Sequence, residues 1–362
     1  MGEQVRYGLV GAGMMGIEHI TNLAITPGAV VTALADPTRT SLDASLKSLG
    51  DKAGSVQSFD SVEALATSGL CDAVIVASPN YTHRAVLEPV FDAGLHILCE
   101  KPVATTIADA KWIVERAEAS DKVFWTAMEY RYMPPAAEFI REIRDGRIGR
   151  LQMLSIREHR FPFLEKVGDW NRFNRNTGGT MVEKCCHFFD LMRLITQSEA
   201  VRVYCSGAMN VNHLDERYDG QTPDIIDNSY TTVDFANGVR AMLDLSMFAD
   251  GAENQEEIAA VGDKARLEVL IPEGAIVYSP RVGFRNAKQV ERRMVHTDET
   301  ALNAGSHHGS TFYEHQKFNA AVRGEGKVEV TARDGLMAVA IGTAAEISAR
   351  EHRVVDMSEL GL

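Results

Sequence analysis

The sequence predicts an α/β protein of two domains: an N-terminal doubly wound parallel sheet, then an α+β domain on a large, mostly antiparallel sheet. Three observations carry that prediction. Short apolar runs alternate with longer amphipathic ones up to about residue 127, and a GxGxxG spacing stands at the first turn. Beyond residue 150 the pattern changes to longer strand-like stretches with a hairpin signal. A chain of 362 residues exceeds one compact core of ordinary size, so the natural division is 1–127 and 128–362.

The elements follow in order. "VRYGLV" (5–10), "VVTALAD" (30–36), "DAVIVAS" (72–78), "HILCEK" (96–101) and "VFWTAM" (123–128) are near-continuous apolar runs, as strands covered on both faces require. The intervening segments, roughly 14–25, 38–49, 82–93 and 105–120, have helical spacing. "PPAAEFIREIRDGRIG" (134–149) reads as a helix with Gly149 near its end. "VRVYCSGAMNV" (201–211), "NSYTTVDFANGVRAMLDLSMF" (228–248) and "ARLEVL" (265–270) read as strands, with Asn237-Gly238 as a tight hairpin turn. A last helix, about 332–350, starts after Thr331 with Leu336, Val339, Ala340, Ala344 and Ile347 on one side, and is expected to pack back on the first domain.

The 37 Lys and Arg against 50 Asp and Glu give a formal charge of −13, which speaks against binding nucleic acid or an anionic membrane through the overall field. No apolar run is long enough to span a membrane, and the first strand starts too early for a secretory leader, so a cytoplasmic location is expected. Five cysteines (71, 99, 185, 186 and 205), an odd number without a CxxC pair, suit reduced thiols.

Gly11, Gly13 and Gly16, with Met14 and Met15 between the last two, lie where the first strand meets the first helix. In a dinucleotide-binding Rossmann turn the first glycine allows the tight bend, the second lets the backbone approach the pyrophosphate, and the third lets helix and strand pack closely. Asp36 follows Gly16 by 20 residues, at the end of the second strand, where a carboxylate accepts hydrogen bonds from the ribose hydroxyls. Its charge would repel the 2′-phosphate of NADP, so NAD is the expected cofactor, although Arg39 lies close enough in sequence to contact such a phosphate.

"ASPNYTH" (77–83) and "CEKP" (99–102) follow two of the strands, at the carboxyl edge where ligands bind such sheets. Together with "YRYMP" (130–134), Trp170 and the Gly178-Gly179 pair leading to a carboxylate and then a histidine, they resemble the glucose-fructose oxidoreductase, inositol dehydrogenase and rhizopine-catabolism family (Gfo/Idh/MocA). The resemblance extends to "GDKARLEV" (262–269) and "ARDGLMAVAIGTAAEISARE" (332–351). It implies a Rossmann domain followed by an open-sheet domain that holds a sugar or polyol and mediates homo-oligomerisation, as a dimer or tetramer. It also implies that Ser78, Asn80, His83 and Glu100 line the cofactor, that the Lys101-Pro102 bond is cis, and that Trp170, Arg172, His159, His308 and Tyr313 face the cofactor or the substrate pocket. The "SHHGSTFYEH" stretch (306–315) reads equally as a polar loop entering a helix.

"GGTMVEKCCHFFDLMRLI" (178–195) crowds Glu183, Cys185, Cys186, His187 and Asp190 together. On one helix, 183, 187 and 190 share a face, with Phe188, Leu191, Met192 and Ile195 on another. That face offers too few ligands for a metal, and adjacent cysteines diverge by about 100°. The family pattern is Asp-x-x-x-His, so Glu183 is one methylene longer; position 185 is commonly glycine, so the Cys185 side chain would narrow the pocket. The expected chemistry is NAD-dependent oxidation of a secondary hydroxyl, or the reverse reduction, in which His187 removes the proton, Lys101 stabilises the developing alkoxide, and Glu183 holds a hydroxyl or His187. Lys101 and His187 can exchange those roles. Two alternatives stand beside it: a glycoside hydrolase or lyase that uses NAD transiently, and a non-catalytic NAD-binding regulator.

Overall fold

The computed structural model describes residues 4–286 and 288–362. Among them, no helix is long and apolar enough to cross a membrane. The chain divides into two compact units. The first runs to Tyr132 and takes back Asp298–Val339; the second comprises Met133–Thr297 and Ala340–Leu362.

The first unit carries strands β1 (Val5–Val10), β2 (Ala29–Ala35), β3 (Gln57–Phe59), β4 (Ala73–Val76), β5 (His96–Glu100) and β6 (Phe124–Ala127). All are parallel, in the order β3-β2-β1-β4-β5-β6. That order reverses between β1 and β4, and a doubly wound sheet binds its ligand at such a switch point. Helices α1 (Met14–Ile25), α2 (Arg39–Leu49), α3 (Val62–Ala66), α4 (His83–Asp92) and α5 (Ile107–Glu118) make the crossovers. β4 is buried throughout, as a strand covered on both faces must be. The sequence reading missed β3, a polar three-residue strand at the sheet edge.

In the second unit, α6 (Pro134–Arg144) leads to β7 (Leu151–His159) and then to the short helices α7 (Asn174–Thr177) and α8 (Thr180–Glu183) and the longer α9 (Cys186–Thr196). Strands β8 (Ala200–Ala208), β9 (Asn228–Phe235), β10 (Arg240–Ser246), β11 (Glu256–Gly262), β12 (Ala265–Ile271), β13 (Ala275–Pro280) and β14 (Glu291–Met294) follow. The chain then passes through α10 (Glu299–Leu302), α11 (Ser310–Val322) and α12 (Ala332–Glu351) to β15 (Val355–Asp356). The nine strands are ordered β14-β13-β12-β11-β7-β10-β9-β8-β15, antiparallel except where β10 lies parallel to β7. The expected hairpin joins β9 to β10, with Gly238 at φ +87.

Burial alternates along β9 and β10, so one face of this sheet is covered and the other open. α6 packs on β12 and β13, and α9 on β7. The open face exposes Met153, Tyr204, Tyr230, Met242 and Val261. The sequence placed the end of α6 too late. The helix stops at Arg144, capped by Asp145 and followed by Gly146 at φ +77, and Gly149 makes a separate turn. Gly342, in the part of α12 that belongs to the second unit, allows close backbone packing, because a Cβ there would lie 2.5 Å from the Met181 carbonyl oxygen.

Candidate active site

In the first unit, Gly11 has φ +95, and a Cβ there would come within 2.5 Å of the Ala77 carbonyl, so the loops after β1 and β4 touch backbone to backbone. A Cβ on Gly16 would overlap the Gly11 carbonyl oxygen, whereas one on Gly13 would meet nothing within 4 Å. The first and third glycines therefore serve packing, and the second leaves an approach to the backbone open. Met14 begins α1 and is exposed; Met15 is half-buried.

Asp36 accepts the Ala12 amide on Oδ2 at 2.8 Å and the Thr38 amide on Oδ1 at 2.7 Å. Its carboxylate is thereby held over the glycine turn, with lone pairs left on both oxygens. Arg39 pairs with Asp43 at 3.0 Å on the exposed side of α2. Across the turn, Ser78 shares a 2.8 Å hydrogen bond with Thr82. Asn80 is buried, and its Nδ2 has no hydrogen-bond partner among the described residues. His83 differs from the expectation that it lines the cofactor: it is wholly buried, with Nε2 3.0 Å from the Ser78 carbonyl and Nδ1 3.3 Å from that of Val103. Burial holds its pKa below the usual histidine value. It shapes the loop from beneath.

Glu100 ends β5, and the Lys101-Pro102 peptide after it is cis. Both Glu100 oxygens are taken within the protein: Oε1 lies 3.0 Å from His19 Nε2, and Oε2 accepts the Lys101 amide at 3.0 Å. Burial would raise this carboxyl, but the His19 hydrogen bond and the neighbouring charges, including Lys101, hold it below the ordinary value. Lys101 is half-buried. Nearby, burial lifts Glu129 to about 7, and Glu314 is pushed well up by burial and by the Glu129 and Glu100 charges.

His308 and Tyr313 also belong to this unit, in the segment leading through α11. His308 is half-buried with φ +52, and Tyr313 packs edge-on to Phe312. The preceding His307 Nδ1 lies 2.6 Å from Glu18 Oε1, and Ser306 donates to Glu18 Oε2 at 3.0 Å. Burial opposes ionisation of Glu18, but the His307 and Ser306 contacts outweigh it and bring its pKa to about 2. The polar loop is thus tied to α1.

In the second unit Glu183 closes α8, and His187 and Asp190 lie on α9. The expected single helix is interrupted at Lys184-Cys185, where the Cys186 thiol donates to the Glu183 carbonyl at 3.6 Å. Glu183, His187 and Asp190 are all buried. So are all five free cysteines. Cys185 does not narrow an open pocket: its thiol is fully buried, 4.0 Å from Met181 Sδ. Among the described residues, no group of three or more His, Cys, Asp or Glu is arranged to hold a metal. Glu346 on α12 accepts the Met181 amide at 3.0 Å, at the start of α8.

The remaining expected residues are engaged elsewhere in this unit. His159 pairs with Asp244 at 3.1 Å, on the face of β7 opposite to Glu158. Arg172 is buried and donates to Glu216 at 2.9 Å, which also takes His213 and Tyr218. Trp170 is half-buried, and its carbonyl accepts from Asn176 at 2.9 Å. On the covered face, Glu158 and Glu256 stand directly opposite one another across β7 and β11. Lys184 Nζ lies 3.0 Å from Glu158 Oε1, and Gln255 donates to Glu256 at 2.7 Å. Burial and the Glu158 charge push Glu256 up to about 8.

Residues 5–128 match a family model described as "Oxidoreductase family, NAD-binding Rossmann fold", and residues 140–357 match one for the "Oxidoreductase family, C-terminal alpha/beta domain". The chain belongs to the Gfo/Idh/MocA oxidoreductase family. Relatives include the myo-inositol 2-dehydrogenase of Thermotoga maritima, 25% identical over 98% of this chain and 99% of that one. The inositol 2-dehydrogenase of Rhizobium meliloti is 26% identical over the same shares. Among solved structures, a levoglucosan dehydrogenase in complex with NADH and levoglucosan has the same fold, with TM-score 0.83, 21% identity, and 98% and 100% of the two chains covered.

Within this Gfo/Idh/MocA chain, sequence reasoning passed over Glu18, His19, Glu129, His307, Glu314 and His315. Their only signal was the density of Glu-His pairs at 18–19 and 314–315, which no helical face or known spacing singles out.

The Glu158-Glu256 pair generates a stability prediction. Glu256 titrates at about 8 in the folded chain, against about 4.3 when unfolded. Folding therefore takes up a proton, and this group lowers stability as pH rises from about 4 to about 8, then no further. Glu256→Gln lacks that dependence. Its melting temperature should gain on the parent by a few degrees between pH 5 and pH 8. A difference that stays constant with pH in differential scanning calorimetry would show that Glu256 is ionised throughout.

Proposed function

We propose that the chain oxidises a secondary hydroxyl of a sugar, inositol or related polyol with NAD, or reduces the corresponding ketone. The observation that carries the reading is a lysine at the carboxyl edge of the parallel sheet, backed by the buried carboxylate of Glu100. Relatives spanning 98% of the chain and named inositol dehydrogenases support the substrate class. The open approach at Gly13, the unpartnered Asn80 Nδ2 and the fixed Asp36 carboxylate fit a dinucleotide. Bound NAD+ would supply the hydride acceptor, C4 of its nicotinamide.

The chain's own residues handle the proton. An alcohol gives up hydride readily only as its O–H proton leaves, so a base must reach that hydroxyl. His187 takes the proton, and Lys101 donates to the same oxygen and stabilises its developing charge. Glu183 binds a neighbouring hydroxyl or holds His187. Asp36 favours NAD, because its charge opposes a 2′-phosphate; the exposed Arg39–Asp43 pair is worth at most about 1 kcal/mol and decides little. Copies of the chain associate through the open sheet face, where Tyr204, Tyr230 and Met242 would otherwise stay in water. Buried free thiols suit a reducing compartment, the cytoplasm.

The direct test is net NADH accumulation with a panel of inositols and sugars. Lys101→Ala and His187→Ala should each lower kcat by about 10²-fold or more. If both act on one oxygen, the double variant loses much less than the product of the single losses. Near-normal turnover of His187→Ala would remove it from the mechanism. Asp36→Ser should weaken NAD binding and improve NADP relative to it, and an unchanged preference in titrations would show that Asp36 does not read the ribose. Sedimentation should give a multiple of 39.7 kDa, reduced to that mass by Tyr230→Glu; a parent chain that sediments as a monomer would refute association through the sheet.

A further inference from the structure

Two buried histidines outside the proposed chemistry form a chain that ends on the Glu100 carboxylate. His315 Nε2 lies 3.0 Å from His19 Nδ1, and His19 Nε2 lies 3.0 Å from Glu100 Oε1. The rings meet edge to face with centroids 5.1 Å apart, and both residues are fully buried. His315 Nδ1 has no hydrogen-bond partner among the described residues.

Those contacts fix the protons. A buried N–H without an acceptor costs about 1–3 kcal/mol, so His315 Nδ1 is bare and its proton sits on Nε2. That proton is donated to His19 Nδ1, which must then be bare, and the His19 proton sits on Nε2, donated to Glu100. The direction of the chain is therefore set from His315 to the carboxylate. The other Glu100 oxygen accepts the Lys101 amide.

We propose that His19 and His315 are positioning residues: their one-way hydrogen bonds keep Glu100 a carboxylate beside Lys101 and so set the charge Lys101 carries. This rests on the proposed role of Lys101, but its test does not require turnover. Glu100 is faced by His19 from α1, His83 from α4, Lys101 beside it, Glu129 after β6, His307 before α11 and Glu314 on α11. Of the carboxyls, Glu129 and Glu314 are lifted by burial, whereas Glu100 is held below its ordinary value and so is fully ionised at neutral pH. Burial pushes the His315 pKa well down, in keeping with its place at the head of the chain. Without the His19 donor, Glu100 protonates more readily, Lys101 loses its anionic neighbour, and its ammonium gives up a proton at lower pH.

The test follows the Lys101 titration by NMR in the full chain after reductive ¹³C-dimethylation, with its resonance assigned by its absence from Lys101→Arg. His19→Leu should lower the Lys101 midpoint by about 1 or more. Glu100→Gln should lower it as well, while His19→Gln, whose amide can both accept and donate, should hold it near the parent value. If His19→Leu does not fold, His315→Leu tests the same chain and should move the midpoint in the same direction. A midpoint unmoved by His19→Leu or His315→Leu, or moved equally by His19→Leu and His19→Gln, overturns the proposal. Failure of the functional reading looks different: Lys101→Ala would leave polyol oxidation intact, whatever the titration shows.

Discussion

A carboxylate removed from water must be met by donors or take up a proton, and both units of this chain are organised around that constraint. Asp227 shows the fully satisfied case: it is buried, and the backbone amides of Asn210, Val211 and Asn212 donate to it at 2.7–3.1 Å. Glu18 and Glu100 are met by histidines and remain acidic. Burial raises Glu129 to about 7, Glu256 to about 8, and Glu314 well above its ordinary value. Burial and local partners thus separate groups of one chemical type into carboxyls held acidic and carboxyls raised well above the ordinary range.

The parallel sheet was legible in the sequence because both of its faces are covered. Strands such as Ala73–Val76 must then be apolar throughout, and the helices between them amphipathic. The glycine turn was legible from its spacing: Gly11 and Gly16 meet backbone that leaves no room for a Cβ, and Gly13 between them stays open. The short edge strand Gln57–Phe59 was not legible, since it buries little and is held by pairing to β2. In the second unit, strands with one open face carry Met, Tyr and Val on both sides, which blurs the alternation.

The placement of Glu100-Lys101 at the end of β5 was legible because motif and element boundary coincide there. Residues were not legible where a side chain's partner lies far along the chain. His19 and His315 are 296 positions apart, and Glu18 and His307 are 289 apart. Local periodicity carries no trace of such pairs. A one-residue step along a strand changes the face, so His159 meets Asp244 on one side of β7 while the covered position belongs to Glu158.

A buried carboxylate is also met at the break between α8 and α9. Lys184 is buried, and its ammonium reaches Glu158 on β7 at 3.0 Å, which fixes the rotation of the short segment joining the two helices. Glu183 and Cys185 flank that lysine in sequence. Glu158 faces Glu256 across the sheet, with Lys184 at 3.0 Å and Arg160 at 3.7 Å both paired to Glu158, and two carboxylates at a buried cross-strand position raise the cost of ionising the second. Burial and the Glu158 charge lift Glu256 to about 8, and Lys184 pairs with Glu158. The segment that follows Glu183 is therefore anchored through Lys184 to the sheet beneath it, where Glu256, lifted to about 8, keeps its proton at neutral pH.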